Sequence, residues 1–145
     1  WLHTRPNGLL KHPSYYPFKL VSNLARGDAL DVHVQSPSVE TRQYDAVPAL
    51  DVSASYDVET QEGAVFLVNR SQTETIVTDL VWQDGQALQL EKSWQLAGTD
   101  PKAVNSWDAP EQVIAKAIPA PTIEAGRATL ELPPLSFTVL TTCPA

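Results

Sequence analysis

The spacing of apolar residues changes once along this chain, at Gly27, and that change constrains the fold more than any other feature. Before it, four apolar residues recur at the spacing of one helical face: Tyr16, Leu20, Val21 and Leu24. After it, apolar and polar residues alternate, as they do over residues 50–56 and 76–82. Such alternation is typical of strands that bury one face. The chain is therefore predicted to place a short helix before an all-β domain.

The first segment is predicted to be a loop followed by one helix. Residues 1–13 show no period and contain two prolines and a glycine, which is typical of a loop. Ser14 is placed to cap a helix over residues 15–26, with Pro17 in its first turn and Gly27 at a left-handed C-terminal position. An isolated helix this short is marginal in water, so it needs a surface to lie on.

Residues 28–145 are predicted to form an antiparallel β-sandwich. The candidate strands are short alternating or continuous apolar runs: 30–34, 50–56, 64–68, 76–82, 88–96, 113–118, 128–132 and 135–140. Turn residues separate them, including Asp84-Gly85 and Gly126, and residues 98–110 are predicted to form a longer loop. Many short strands joined by turns are typical of a sandwich.

The composition argues against several kinds of partner. Seventeen acidic residues against ten basic ones give a net charge of −7, whereas phosphate recognition needs a basic face, so no nucleic acid is expected. The same charge argues against an anionic membrane surface, and no apolar run approaches the length of about 20 residues that spans a bilayer. No motif calls for a cofactor, and none is expected.

The single cysteine, Cys143, rules out an intrachain disulfide and a thiolate metal cluster. It has no visible activating partner, so we expect it to be unreactive. One cysteine favours a cytoplasmic over a secreted protein. The chain begins at Trp1 and contains no methionine, so we expect it to be a piece of a longer protein.

No self-contained catalytic site is predicted. Acid–base hydrolysis needs two carboxyl groups that converge on one bond. The carboxylates are instead scattered over polar strand positions and turns, where a solvated role is expected: Glu40, Asp45, Asp51, Asp57, Glu59, Glu62, Glu74 and Asp79. The three histidines match no metal-ligand spacing, so no metal site is expected. His33 is expected to be exposed, whereas His3 and His12 lie in the opening loop, where a functional role is more plausible.

The tryptophans divide into two predicted groups. Trp82 and Trp94 fall on the apolar period of their strands and are expected in the core. Trp1 and Trp107 lie in irregular segments, so they are the better candidates for a platform on which a sugar ring stacks. Asn69-Arg70-Ser71 is a formal glycosylation sequon, a pattern that arises often by chance.

Six blocks of residues, taken in order, resemble the C-terminal part of α-L-arabinofuranosidases of glycoside hydrolase family 51. They cover essentially the whole chain: Tyr15-Tyr16-Pro17-Phe18-Lys19-Leu20 with Ala25-Arg26-Gly27; Ser36-Pro37 with Glu40-Thr41; 47–54; Val68-Asn69-Arg70-Ser71; 100–103 with Asn105; and 132–136. The family has a (β/α)₈ barrel followed by a jelly-roll β-sandwich. The resemblance implies that residues 1–27 are the last barrel loop and helix, and that residues 28–145 are the sandwich.

The resemblance also implies a function for the longer protein. The family releases terminal arabinofuranosyl groups from arabinan and arabinoxylan by a retaining mechanism. Its two catalytic glutamates lie on barrel strands before the part that resembles this chain, so no catalytic residue is expected here and the chain alone should be inactive. The implied partners are the catalytic barrel, the arabinose-containing polysaccharide that the barrel binds, and further copies of the complete protein in a homo-oligomer.

One substrate contact follows from the same resemblance. The loop after the last barrel strand of the family holds a threonine, a proline and a glycine, which Thr4, Pro6 and Gly8 match, and then a glutamine that helps to bind arabinose. The glutamine position falls on His12, whose imidazole can also hydrogen-bond a sugar hydroxyl. His12 is therefore the candidate substrate-binding residue.

Two other functions remain possible from the residues alone. A carbohydrate-binding β-sandwich module would need an exposed aromatic face, which Trp1 and Trp107 could supply. A structural interaction domain of an unrelated assembly would need no site at all. Binding of arabino-oligosaccharides by the chain alone would favour the module.

Overall fold

The structure, a computed structural model, describes residues 1–83 and 88–145. Within these residues it contains a single α-helix, α1 (Tyr15–Leu24), and twelve β-strands. The strands are β1 (Leu2–Arg5), β2 (Gly8–Lys11), β3 (Asp28–Ala29), β4 (Ser38–Glu40), β5 (Ala46–Pro48), β6 (Leu50–Asp57), β7 (Glu62–Asn69), β8 (Ile76–Val81), β9 (Leu88–Leu96), β10 (Lys116–Ile118), β11 (Arg127–Leu132) and β12 (Ser136–Pro144). The predicted turn at Asp84-Gly85 lies outside the described residues.

A six-stranded antiparallel sheet with the order β10-β9-β12-β7-β6-β3 forms the centre of the molecule. The hairpin of β6 and β7 pairs from Leu50 opposite Asn69 to Asp57 opposite Glu62. β12 returns from the far end of the chain to pair with both β7 and β9. The last strand of the chain is thus one of the two central strands of the sheet.

One face of this sheet is covered by the two-stranded ladder of β8 and β11. Four leucines, each at most 4% exposed, form the core on this side: Leu50, Leu67, Leu132 and Leu140. Partly buried residues of β8 and β11, among them Ile76, Leu80 and Leu130, pack against them. The all-β sandwich predicted from the period of two is confirmed.

Helix α1 lies on the opposite face of the sheet. Leu20 and Leu24 pack against a second cluster that consists of Ala64, Phe66 and Val139. The helix itself has no buried residue, and Val21 on the predicted apolar stripe is exposed. The helix therefore finds the surface that it needs, but the sandwich covers only part of its stripe.

The helix differs in detail from the prediction. It ends at Leu24, two residues before the predicted end, because Ala25 is already extended. Ser14 occupies the N-cap position without a side-chain capping hydrogen bond, since its backbone is already helical. Pro17 does lie in the first turn, and Gly27 has the predicted positive φ of 70°.

The prediction of a loop over residues 1–13 is wrong. β1 and β2 form an antiparallel hairpin in which Arg5 stands opposite Gly8. Pro6 and Asn7 make the turn, and neither has the positive φ that marks the commonest two-residue hairpins. Leu10, 3% exposed, is buried by the rest of the domain. Tertiary contacts rather than a local pattern stabilise this hairpin.

The other strand predictions have mixed outcomes. The strand predicted over residues 30–34 is wrong, since burial alternates only over 31–34 and pairing beside β6 covers only Asp28–Ala29. The strand predicted over 113–118 begins only at Lys116. The small hairpin of β4 and β5 was not predicted, because its segments are too short and too exposed to show a period.

A further observation concerns membranes. No helix in the described part of the chain is long and apolar enough to cross a bilayer.

Replacing Gly27 by alanine is expected to lower the free energy of unfolding by about 2 kcal/mol or more, because a left-handed backbone is costly for a residue with a Cβ. The added Cβ would also lie 2.2 Å from the carbonyl oxygen of Tyr56. Urea unfolding followed by circular dichroism measures the change. Gly98→Ala is the control, since no atom of residues 1–83 and 88–145 lies within 4 Å of a Cβ there. Equal effects of the two substitutions would contradict this account of Gly27.

Candidate functional site

His12 lies between β2 and α1, and both its backbone N–H and its backbone carbonyl are hydrogen-bonded. Its amide donates to the carbonyl of Trp1 at 2.9 Å, and its carbonyl accepts from the amide of Tyr15 at 2.9 Å. In the ring, Nε2 is buried and has no hydrogen-bond partner within the described residues. The candidate substrate-binding residue is therefore an ordered imidazole whose covered nitrogen makes no internal bond.

The β1–β2 hairpin brings His3 to the same place. The two imidazole rings of His3 and His12 meet edge to face, with centroids 4.5 Å apart and an interplanar angle of 70°. His33 lies elsewhere, exposed as predicted, where its Nε2 is 3.3 Å from the side-chain amide of Gln35. The structure thus brings the side chains of His3 and His12 into contact, whereas His33 is not part of this pair.

Asn105 connects the long loop of the sandwich to this histidine pair. It is only 2% exposed. Its Nδ2 donates to the carbonyls of Lys11 at 2.8 Å and Val113 at 2.9 Å, and its Oδ1 accepts from the amide of Val113 at 2.7 Å. A single asparagine in a loop carries no pattern, and one of its partners is 94 residues away in sequence, so sequence reasoning did not assign it a role.

Trp107, a predicted sugar platform, packs against the hairpin instead. The guanidinium carbon of Arg5 lies 4.3 Å from the centroid of the indole, within the range of a cation–π contact. Gly8 also approaches the ring so closely that a Cβ there would lie 3.0 Å from it. Trp107 is therefore an internal contact, which removes one of the two aromatic residues on which the binding-module alternative depended.

The other three tryptophans agree with the predicted division into core and irregular positions only in part. Trp1 is 61% exposed and tilts against Phe18, with ring centroids 4.1 Å apart. Trp94 packs on the cluster beneath the helix, which confirms its place in the core. Trp82 is half-buried.

The carboxylates lie apart and most are exposed, as predicted; Asp57 is the half-buried exception. Asp51 forms an ion pair with Arg70 at 2.5 Å. Asp79 pairs with Arg127 at 3.1 Å and accepts from the Thr129 hydroxyl at 2.6 Å. Such exposed pairs contribute little to stability. Over residues 1–83 and 88–145, no group of three or more His, Cys, Asp or Glu side chains could hold a metal ion.

Asn69, the residue of the sequon, is 1% exposed and fully engaged. Its Nδ2 donates to the carbonyls of Glu74, Leu132 and Pro133, each at 2.9 Å, and its Oδ1 accepts from the amide of Ser71 at 2.9 Å. A glycan on this nitrogen is incompatible with the folded domain. Asn69 instead connects the ends of β7 and β11 with the turn that leads into β8.

The long loop also approaches helix α1. Burial, followed by the carboxylate of Glu111 and the neighbouring Tyr15, raises the pKa of the Tyr16 phenol above its ordinary value. Glu111 belongs to the same loop as Asn105 and Trp107. The loop between β9 and β10 therefore contacts the hairpin through Asn105 and Trp107, and its Glu111 carboxylate is near enough to act electrostatically on the Tyr16 phenol.

Chemically, the pair of His3 and His12 offers hydrogen-bonding groups to a ligand. An ordered imidazole can donate to or accept from a neutral hydroxyl group. The described carboxylates named above are engaged elsewhere or exposed, and none of their contacts joins two carboxyl groups at one point.

Comparison with known proteins gives a consistent result. The family described as the α-L-arabinofuranosidase C-terminal domain matches residues 2–136. An intracellular exo-α-(1→5)-L-arabinofuranosidase of Streptomyces lividans is 30% identical over 135 residues, which are 92% of this chain and 20% of that protein.

Solved structures are similar over nearly the whole chain. A family 51 α-L-arabinofuranosidase from Bifidobacterium longum is 27% identical with a TM-score of 0.88, over 97% of this chain and 28% of that one. The thermostable family 51 enzyme of Thermotoga petrophila has the same fold, with 21% identity and a TM-score of 0.83, over 97% of this chain and 31% of that one. The chain spans 20% to 26% of the length of the curated relatives it matches.

Replacing Trp107 by leucine is expected to speed tryptic cleavage after Lys11 about tenfold, because the loss of about 1–2 kcal/mol of contact lets the hairpin open more often. The cleavage rate is measured by mass spectrometry under native conditions. Trp1→Leu is the matched control, since that indole is mostly exposed. The same rate in both variants would show that Trp107 does not hold the hairpin.

Proposed function

The chain belongs to the family of α-L-arabinofuranosidase C-terminal domains, and from that membership we propose that it completes an enzyme that releases terminal arabinofuranosyl groups. The observation that carries the proposal is the family match over residues 2–136. The relatives that match nearly all of the chain are named intracellular exo-α-(1→5)-L-arabinofuranosidases, so α-(1→5)-linked arabino-oligosaccharides are the proposed substrates. No observation favours the binding-module alternative.

Within such an enzyme, residues 1–27 would complete the catalytic barrel and residues 28–145 would form the sandwich that supports it. The charge distribution supports this division. Residues 1–27 hold four basic and no acidic residues, whereas residues 28–145 hold six basic and seventeen acidic ones. The first segment therefore carries a net charge of +4 and the sandwich a net charge of −11. This difference agrees with a first segment that contacts the barrel rather than solvent.

The exposed apolar side chains of the first segment support the same arrangement. Phe18 is 52% exposed, the ring of Trp1 tilts against it, and Leu2, Leu9 and Val21 are also exposed. A patch of this kind on a folded domain marks an interface. We assign it to the barrel that precedes this domain in the complete polypeptide, because the chain spans only 20% to 26% of its curated relatives. Homo-oligomer formation by the complete protein stays a prediction.

His12 is the proposed sugar contact of this segment. Its backbone is fixed on both sides, so little conformational entropy is lost when the ring binds a ligand. Because Nε2 is covered, the hydrogen bond to a sugar hydroxyl would use Nδ1. This role depends on a barrel that supplies the catalytic glutamates, and the 145-residue chain alone is expected to be inactive.

The complete polypeptide is expected to hydrolyse an aryl α-L-arabinofuranoside, while the 145-residue chain gives no turnover above buffer. His12→Ala should lower kcat/KM about fivefold to tenfold, since a neutral hydrogen bond contributes about 1 kcal/mol. His12→Gln should restore most of the activity. The control is His33→Ala, on the exposed face of the sandwich. Inactivity of the complete polypeptide would refute the proposed function; equal effects of the two alanine variants would refute only the role of His12.

Phe18→Asp is expected to destabilise the complete polypeptide by about 2 kcal/mol, because an aromatic side chain buried against the barrel would become charged. In the 145-residue chain the same change should have little effect, since the side chain is already 52% exposed. Scanning calorimetry of both proteins measures the difference. Tyr44→Asp, at the exposed turn between β4 and β5, is the control. A similar loss of stability in both proteins would argue against the interface.

A further inference from the structure

We infer that Asn105 is a positioning residue for His12, through which the sandwich sets the geometry of the sugar site. The inference rests on the proposed function, because it takes His12 as a substrate contact. It adds a role for the domain beyond support, since a residue of the sandwich loop would determine where the imidazole stands.

The peptide unit between Lys11 and His12 is held at both of its polar atoms. Its carbonyl oxygen accepts from Nδ2 of Asn105 at 2.8 Å, and its N–H donates to the carbonyl of Trp1 at 2.9 Å. A peptide unit is planar, so bonds at its oxygen and at its nitrogen restrict the movement of the whole unit, which includes the Cα of His12. The His12 carbonyl accepts in turn from the amide of Tyr15, so the backbone from which the imidazole extends is held on both sides.

Asn105 is itself rigidly held. It is 2% exposed, and Val113 bonds to both its amide nitrogen and its oxygen, at 2.9 Å and 2.7 Å. The bond to Lys11 is therefore made from a fixed point in the loop. Buried polar groups that are fully paired specify one arrangement, because every alternative leaves a donor or acceptor unpaired.

A second contact from the same loop acts on the same hairpin. Trp107 lies two residues after Asn105 and packs on Arg5 and Gly8 at the turn between β1 and β2. The loop thus holds the hairpin at its turn and at its far end, beside His12. In both contacts the side chain that holds the hairpin comes from the loop of the sandwich. Since small displacements of a binding group cost large factors in rate, this loop bears directly on the reaction.

The side-chain chemistry at position 105 is specific. An aspartate has the same shape and keeps the oxygen that accepts from the amide of Val113. It loses the donor to Lys11, and its charge would face two carbonyl oxygens. Asn105→Asp therefore removes the clamp on the His12 peptide while it changes the volume of the side chain very little.

The test is a double-mutant cycle in the complete polypeptide. Asn105→Asp is expected to lower kcat/KM in the wild-type background by up to the roughly fivefold to tenfold that His12→Ala causes, and less than about twofold in the His12→Ala background. The reason is that misplacing a side chain matters only while that side chain is present. Asn69→Asp is the matched control, since Asn69 is equally buried and also donates to loop carbonyls, but away from the hairpin. Its effect should be the same in both backgrounds.

Hydrogen exchange of the same proteins gives the second readout. Peptides that cover residues 8–14 should exchange faster in the Asn105→Asp variant, while peptides from β7 and β12 stay protected. If that variant does not fold by circular dichroism, Asn105→Ser, which is too short to reach Lys11, is measured in its place.

Equal losses of activity in both backgrounds, or unchanged exchange over residues 8–14, would overturn the inference and leave the proposed function intact. A wild-type polypeptide inactive on aryl α-L-arabinofuranosides would instead overturn the proposed function, and the inference with it. Non-additive kinetics together with faster exchange would establish Asn105 as a positioning residue.

Discussion

The fold depends on a central strand pair that is buried on both faces. Leu67 of β7 and Leu140 of β12 point into the core beneath the β8–β11 ladder, while Phe66 and Val139 face the helix. A sheet with two apolar faces needs a layer on each side, because each fully buried large side chain contributes about 1.5–3 kcal/mol. The ladder packs on one face and the helix on the other, and the helix keeps apolar side chains of its own exposed, at Phe18 and Val21.

Two buried asparagines give the loops their fixed positions. Apolar burial is non-directional, so it can hold a loop close to the sheet without fixing the conformation of the loop backbone. Asn69 and Asn105 add direction, since the oxygen of each side-chain amide accepts from a backbone amide nearby in sequence while its nitrogen donates to a carbonyl in a distant part of the chain. One closes the sandwich near β11, and the other connects the sandwich to the hairpin that carries His12.

The chemistry that the domain can perform follows from the residues that these hydrogen bonds position. His12 and the exposed apolar residues Trp1, Leu2 and Phe18 all lie in the first segment, which holds four basic and no acidic residues. In the proposed function this domain contributes binding and orientation, while bond cleavage depends on groups from another domain. The membership in a family of C-terminal domains agrees with that division of labour.

The sequence by itself determined the elements whose signal is local. The change of period at Gly27 predicted the helix and the sandwich. Alternation located β6, β8 and β11, and a continuous apolar run located β7, each to within a few residues. Only the tertiary structure decided that residues 1–13 form a hairpin, that Trp107 is covered by Arg5, and that Asn105 clamps the His12 peptide. The physical reason is that periodicity records which face of an element is buried. A contact between residues far apart in sequence produces no periodic pattern in the sequence, because it depends on how the folded layers bring the loops together.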